Sequence, residues 1–279
     1  MNWLLEPLQY LFMVRGLLAS VLVGILCAIM GCYVVIRGMA FLGDAMAHAI
    51  LPGVAIAYLL HGNLLLGALL ASVVIALGIG AFSKGGMIKE DTAIGILFAA
   101  ALALGVALIS TIQTYAVDLS HILFGNVLGV SAADLWLTAG LGAVILLVVA
   151  INYKQFMVIA FDPVLASTLR LPVGFLRNLM LLLLAITVVI SLQTVGVGLS
   201  VAMLVTPAAA AYLLTRRLFP MMVISASIGA TSSLIGLYAS FYLNIVSGSA
   251  IVLTATLFFL VVFLFNPRQG ILRRRTLSE

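Results

Sequence analysis

Polar positions along this chain are rare, and they fall in short clusters that separate long apolar runs. Setting boundaries at those clusters predicts membrane-spanning helices at about 11–36, 44–60, 64–82, 92–112, 133–152, 173–192, 196–215, 219–240 and 248–266. Most approach the roughly 20 residues a helix needs to cross a hydrocarbon core about 30 Å thick. The runs are continuous rather than alternating, which excludes a β-barrel. The second run is short and holds Pro52, which cannot take part in the helical hydrogen-bond ladder. It reads as a half-helix, or as a helix that starts below the membrane surface. Nine spans is the count adopted here, with eight as its rival. The predicted fold class is all-α: a polytopic helical membrane protein forming one domain over 1–279.

Composition agrees and leaves little chain for a soluble domain. Of 279 residues, 65% are hydrophobic and 8% charged. A net charge of +5 could suggest nucleic acid, but the placement of the charges argues against it. With nine spans, Arg37, Lys84, Lys89, Lys154, Arg170, Arg177, Arg216, Arg217 and the tail arginines Arg268, Arg273, Arg274 and Arg275 all fall on one side. Only Arg15 lies on the other. The opposite loops, near 61–64, 112–132, 192–196 and 240–248, carry no Lys or Arg. The positive-inside rule then places the C-terminus in the cytoplasm and the N-terminus outside. Eight spans would move the N-terminus to the cytoplasm. The first apolar stretch is too long for a cleavable signal peptide, and no small-residue cleavage site follows it. Cys27 and Cys32 sit five residues apart on one run, on different helical faces, and read as packing rather than a disulfide.

Two loops and two spans have further character. The outer segment 112–132 is apolar enough to lie in the interface or dip back in, and its His121 reads as structural or solvated. In "AFDPVLASTLRLPVGFLRN", residues 160–178, Asp162 can cap a helix, Pro163 suits its first position and Pro172 ends it. Such a helix shows Val164, Leu165, Leu169 and Leu171, either to lipid or to a soluble partner; the residues alone leave both open. Span seven, "TVGVGLSVAMLVTPAAAAYLLTRR", is rich in small residues that allow close helix approach. Thr206-Pro207 should kink it and free backbone carbonyls. Close packing is the default explanation, and lining of a pathway by Met203, Thr206 and Pro207 is the alternative. Span eight, with Ser225, Ser227, Gly229, Ser232 and Ser233, has the same character.

Seven of the eight acids, namely Glu6, Glu90, Asp91, Asp118, Asp134, Asp162 and Glu279, fit in loops, tails or span ends. Asp44, within "MAFLGDAMAHAILPG", leads straight into an apolar helix. An ionisable group at such a place is expensive and marks function by default. One alternative is that Asp44 merely caps its own helix. That leaves His48 unexplained. Positions i and i+4 share a helical face, so Asp44 and His48 point toward one place. A carboxylate with an imidazole is a ligand set for a divalent first-row metal. The positive helix N-terminus opposes a bare cation, and the ionised carboxylate offsets that. Two ligands do not close a coordination shell; other groups, waters or a second copy of the chain must complete it. "DAMAH" lacks the first histidine and the glutamate of the H-E-x-x-H metalloprotease motif. No lysine follows a glycine, so there is no P-loop, and an ATP-driven motor would be another polypeptide.

"GMAFLGDAMAHAILPGVAIAY", "IKEDTAIGILFAAALALGVALIS", "SHILFGNVLGVSAADLW" and "SLQTVGVGLSVAMLVTPAAAAYLL" together resemble the permease subunit of the bacterial ABC-3 family, importers of manganese, zinc and iron(II). The resemblance runs from about residue 10 to 266. It implies a type II ABC importer-like permease in the bacterial cytoplasmic membrane and a homodimer. It also implies two cytoplasmic ATPase subunits that carry the ATP, and an extracytoplasmic metal-binding protein. The permease itself would be a transport subunit and not an enzyme, with the metal as cargo and no resident cofactor. The family's intramembrane ligands fall on Asp44 and His48. Its ATPase-coupling helix falls on 161–171, with Phe161, Asp162, Pro163, Leu165, Leu169, Arg170 and Leu171. "HAILPG" and "HILFGNVLGVS" resemble the manganese/iron branch, giving the order manganese, iron, zinc. The rival class is a proton-coupled or channel-like carrier that uses the pair as a proton relay without an ATPase. An intramembrane enzyme would need a nucleophile or base beside the pair, and the sequence offers none.

Overall fold

The computed structural model describes residues 6–84, 88–111 and 127–265. Among these residues there is no strand. The helices are α1 (Leu11–Ile36), α2 (Leu42–Ala49), α3 (Leu51–Leu59), α4 (Leu64–Phe82), α5 (Glu90–Ser110) and α6 (Ala132–Ile151). They continue with α7 (Tyr153–Phe161), α8 (Pro163–Thr168), α9 (Val173–Val195), α10 (Val197–Leu214), α11 (Leu218–Leu243) and α12 (Ser247–Phe265). Counting α2 and α3 as one, nine stretches among the described residues are long and apolar enough to cross a membrane. Among the described residues the candidate spans number nine, the count expected, rather than eight. The interrupted second span resolves into two helices that meet at Ile50. Pro52 is the second residue of α3 and has no N–H to offer the His48 carbonyl, so the ladder breaks there.

The bundle is organised around α1, which packs on α10, α11, α9 and α6. Glycine makes the closest approaches possible. A Cβ at Gly31 would lie 1.7 Å from the Leu204 carbonyl oxygen of α10. Gly229 of α11 approaches Gly24 of α1 in the same way, its would-be Cβ 2.6 Å from the Gly24 carbonyl oxygen. On either side of that crossing Ser225 donates to the Ala28 carbonyl and Ser233 to the Ser20 carbonyl, both at 2.9 Å. Ser225, Gly229 and Ser233 of span eight thus serve helix packing, while Ser227 is exposed and bonds within its own helix. Cys27 and Cys32 are buried free thiols. His121 lies outside the described residues.

One end of the bundle gathers charges. Arg37, one residue beyond α1, is hydrogen-bonded and ion-paired to Glu90, the first residue of α5. Arg177, near the start of α9, donates to the carbonyls of Gly80 at 2.9 Å and Ser83 at 3.3 Å, where α4 ends. The ends of α1 and α4 and the starts of α5 and α9 therefore share a side, as the nine-span reading of the basic residues requires. Burial works against the Arg37 charge and lowers its pKa; the Glu90 carboxylate offsets this.

Candidate metal site and coupling helix

The helix α2 begins at Leu42, and its N-cap residue is Phe41, which makes no side-chain cap. Asp44 is thus the third helical residue, and its carboxylate does not cap the helix. Asp44 stands in the first turn of α2, the pole that favours a carboxylate, and His48 in its last. His48 Nε2 and Asp44 Oδ1 lie 3.6 Å apart, beyond hydrogen-bond range. Two donors about 2.1 Å from one ion would be separated by about 3.0 Å at the 90° of an octahedral site and by about 3.4 Å at the 110° of a tetrahedral one. The observed spacing therefore needs little adjustment to hold one metal.

Depth follows from the packing partners. A Cβ at Gly43 would meet the Leu204 side chain at 2.8 Å, and Gly31 approaches the same residue's backbone. Leu204 stands ten residues from the end of α10 at Leu214 and seven from its start at Val197, about 15 Å and 11 Å of helix. On α5, Phe98 packs its ring 6.1 Å from the His48 ring and 5.4 Å from the Phe41 ring. Phe98 lies eight residues, about 12 Å, beyond Glu90. Both measures put the Asp44–His48 pair about midway along the neighbouring helices α10 and α5. Yet 42% of the Asp44 side chain and 34% of the His48 side chain remain open on the single chain. Among the described residues no three His, Cys, Asp or Glu side chains come together, so these residues bring two side chains of that kind to the place.

The span-seven residues occupy the neighbouring helix. Pro207 lies inside α10, which runs through it as one helix; Met203 and Pro207 are buried while Thr206 is half-buried. The Met203 methyl points at Gly24 of α1, into the bundle.

Segment 161–171 folds as expected locally, with one addition. Asp162 accepts hydrogen bonds from the amides of Val164 and Leu165, both at 2.9 Å, and Pro163 opens α8. Arg170 closes α8 with φ +56°, its amide bonding the Ser167 carbonyl, while the Leu171 amide bonds the Ala166 carbonyl. This is a Schellman end with arginine where glycine is usual. Phe161, Val164, Leu165 and Leu169 are exposed, and Ala166 anchors α8 from beneath. The addition is α7, which sequence reasoning left as a connector. It packs Phe156 edge-on against Tyr33 of α1 and Tyr153 against Phe219 of α11. Its short mixed run, YKQFMVIAF, gives a weak helical signal beside the spans.

Nine candidate spans among the described residues, one of them broken, define a class: a polytopic helical membrane protein. Residues 9–266 match the model of the ABC 3 transport family. The manganese transport system membrane protein MntC of Halalkalibacterium halodurans is 47% identical over 269 residues, 96% of this chain and 92% of that protein. The chelated iron transport system membrane protein YfeD of Yersinia pestis is 39% identical over 270 residues, 97% of this chain and 91% of that one. The solved structure of PsaBC from Streptococcus pneumoniae in complex with Fab superposes with a TM-score of 0.84 at 40% identity, covering 98% of this chain and 99% of that one. The chain belongs to the ABC 3 transport family and is a membrane transport component rather than an enzyme. Its relatives fall on the family's manganese and iron side.

Proposed function

We propose that this chain is the permease subunit of an ATP-driven importer of divalent metal, manganese first, iron second and zinc third, with Asp44 and His48 on the ion path. The observation that carries this reading is the pair itself: two metal-type donors 3.6 Å apart, midway along the neighbouring helices, and only partly covered. A carboxylate and an imidazole cannot rest against lipid at that depth. A second copy of the chain, bringing its own pair, covers them and supplies further ligands. On α10, Met203, Thr206 and Pro207 border the path.

The whole chain acts as one permease domain, with its C-terminus in the cytoplasm. An extracytoplasmic metal-binding protein delivers the ion on the opposite side. Two cytoplasmic ATPases dock on 161–171, where Phe161, Leu165, Leu169 and Leu171 offer apolar contacts and Asp162, Pro163 and Arg170 fix the helix. Manganese and iron stand ahead of zinc because the relatives are named for those metals, and a carboxylate suits manganese.

The test is manganese uptake in cells carrying this chain with its ATPase and binding protein, at matched membrane levels. Asp44→Ala and His48→Ala should each abolish uptake while still assembling with the ATPase. Normal uptake in both would remove the pair from the path. Metal transport by the purified chain in liposomes under a proton gradient alone would favour the ATPase-free carrier.

A further inference from the structure

We infer that Arg37 and Glu90 are positioning residues for the metal site: their ion pair clamps the turn that leads into α2 onto α5, and so sets where Asp44 and His48 stand. This rests on the reading of that pair as the metal ligands.

The clamp has a rigid link to the site. Arg37 is the C-cap of α1, and the chain leaves it through a Schellman end: the Gly38 amide bonds the Val35 carbonyl, and the Met39 amide bonds the Val34 carbonyl. Gly38 stands at φ +69°, a conformation that glycine tolerates without strain. Met39 is buried, and its carbonyl receives the Leu42 amide, the first of α2. No flexible connector separates Arg37 from Asp44. A shift of one moves the other.

The α5 side is just as direct. Glu90 opens α5, and Phe98 on that helix meets both the His48 ring and Phe41 just before α2. The segment from Arg37 to His48 is therefore held to α5 at two levels, by charge at one and by aromatic contact at the other. Between α1 and α5 themselves there is little other packing. The ion pair is what joins them.

The pair is a poor device for stability alone. The side chains are 11% and 16% exposed, so both charges have lost most of their water. Arg37 Nη1 and Glu90 Oε1 are buried with no hydrogen-bond partner. A buried pair with unsatisfied atoms about breaks even against apolar packing, and its best-attested use is to fix register or to switch. Here the register is that of α2 against α5.

The experiment is Mn(II) binding to the permease assembled with its ATPase in detergent, read from the loss of the free Mn(II) paramagnetic resonance signal. Wild type should bind, and Asp44→Ala should not. Glu90→Gln should weaken binding about tenfold, the lower end of what loss of a ligand's supporting contacts produces. The paired neutral variant Arg37→Met/Glu90→Gln, which strands no buried charge, should weaken it similarly while keeping the wild-type melting temperature. The swap Arg37→Glu/Glu90→Arg should recover most of the affinity. If Asp44→Ala abolishes binding while the neutral pair binds as wild type, the clamp is wrong and the site stands. A swap that stays folded but binds no better than Glu90→Gln would also overturn it. If Asp44→Ala binds like wild type, the site reading itself fails.

Discussion

Six residues make α8 too short to stand by itself in water, where isolated helices below about 12–15 residues are marginal. Its order comes from its ends and one anchor. Asp162 satisfies two of the first amides, the Schellman bonds satisfy the last carbonyls, and Ala166 is fully buried. Asp162→Ala removes the N-terminal share, about 1 kcal/mol for a good cap. At 1.4 kcal/mol per factor of ten, that raises the population of the open helix about fivefold. Hydrogen exchange on the assembled transporter reads this as about fivefold faster exchange at the Leu169 and Leu171 amides, whose acceptors are backbone carbonyls inside α8. If 161–171 is the ATPase dock, manganese uptake falls with it while Mn(II) binding at Asp44 and His48 does not. Asp162→Asn supplies an equally good cap and should restore both. Unchanged exchange in Asp162→Ala would refute the capping argument. An Asp162→Asn variant that exchanges normally yet fails to transport would show that the charge matters, not the cap.

Other expectations concern the site and the packing around it. Pro52→Ala returns an amide to the His48 carbonyl and should fuse α2 with α3, a gain of about 1 kcal/mol, so a raised melting temperature with reduced manganese uptake is expected, and unchanged uptake would count against a role for the break. Gly31→Ala places a methyl against the Leu204 carbonyl, a backbone atom that cannot rotate away. It should cost about 1–3 kcal/mol and lower the melting temperature in detergent. Gly140→Ala on α6, where nothing lies within 4 Å, should lower it not at all.

The spans were legible because an apolar run long enough to cross the membrane has few other ways to fold. The second was expected at 44–60 and lies at 42–59, with its break beside the expected proline. The cap on α8 was legible because Asp-Pro at a helix start is a local signal. Two things were not. The helix α7 follows Asn152 almost without interruption, and nothing in its short mixed sequence marks it off from a connector. The Arg37–Glu90 pair joins residues 53 apart, and each alone reads as an ordinary charge at a span end. Only the tertiary fold brings them together. The rival role of Asp44 as a cap also needed the structure, since the capping position turned out to be one turn earlier, at Phe41.

The broken second span also bears on how this protein is made. It is the least apolar of the nine, and it is mostly enclosed by its own chain. Its α3 half meets α4 so closely that a Cβ at Gly53 would lie 2.2 Å from the Gly67 carbonyl oxygen. A segment with an acid, an imidazole and a proline gains little from entering lipid by itself during synthesis. The two glycines pack it tightly against the next span, so insertion of the two as one hairpin is the expected route, and Gly67→Leu should lower the yield of membrane-inserted protein.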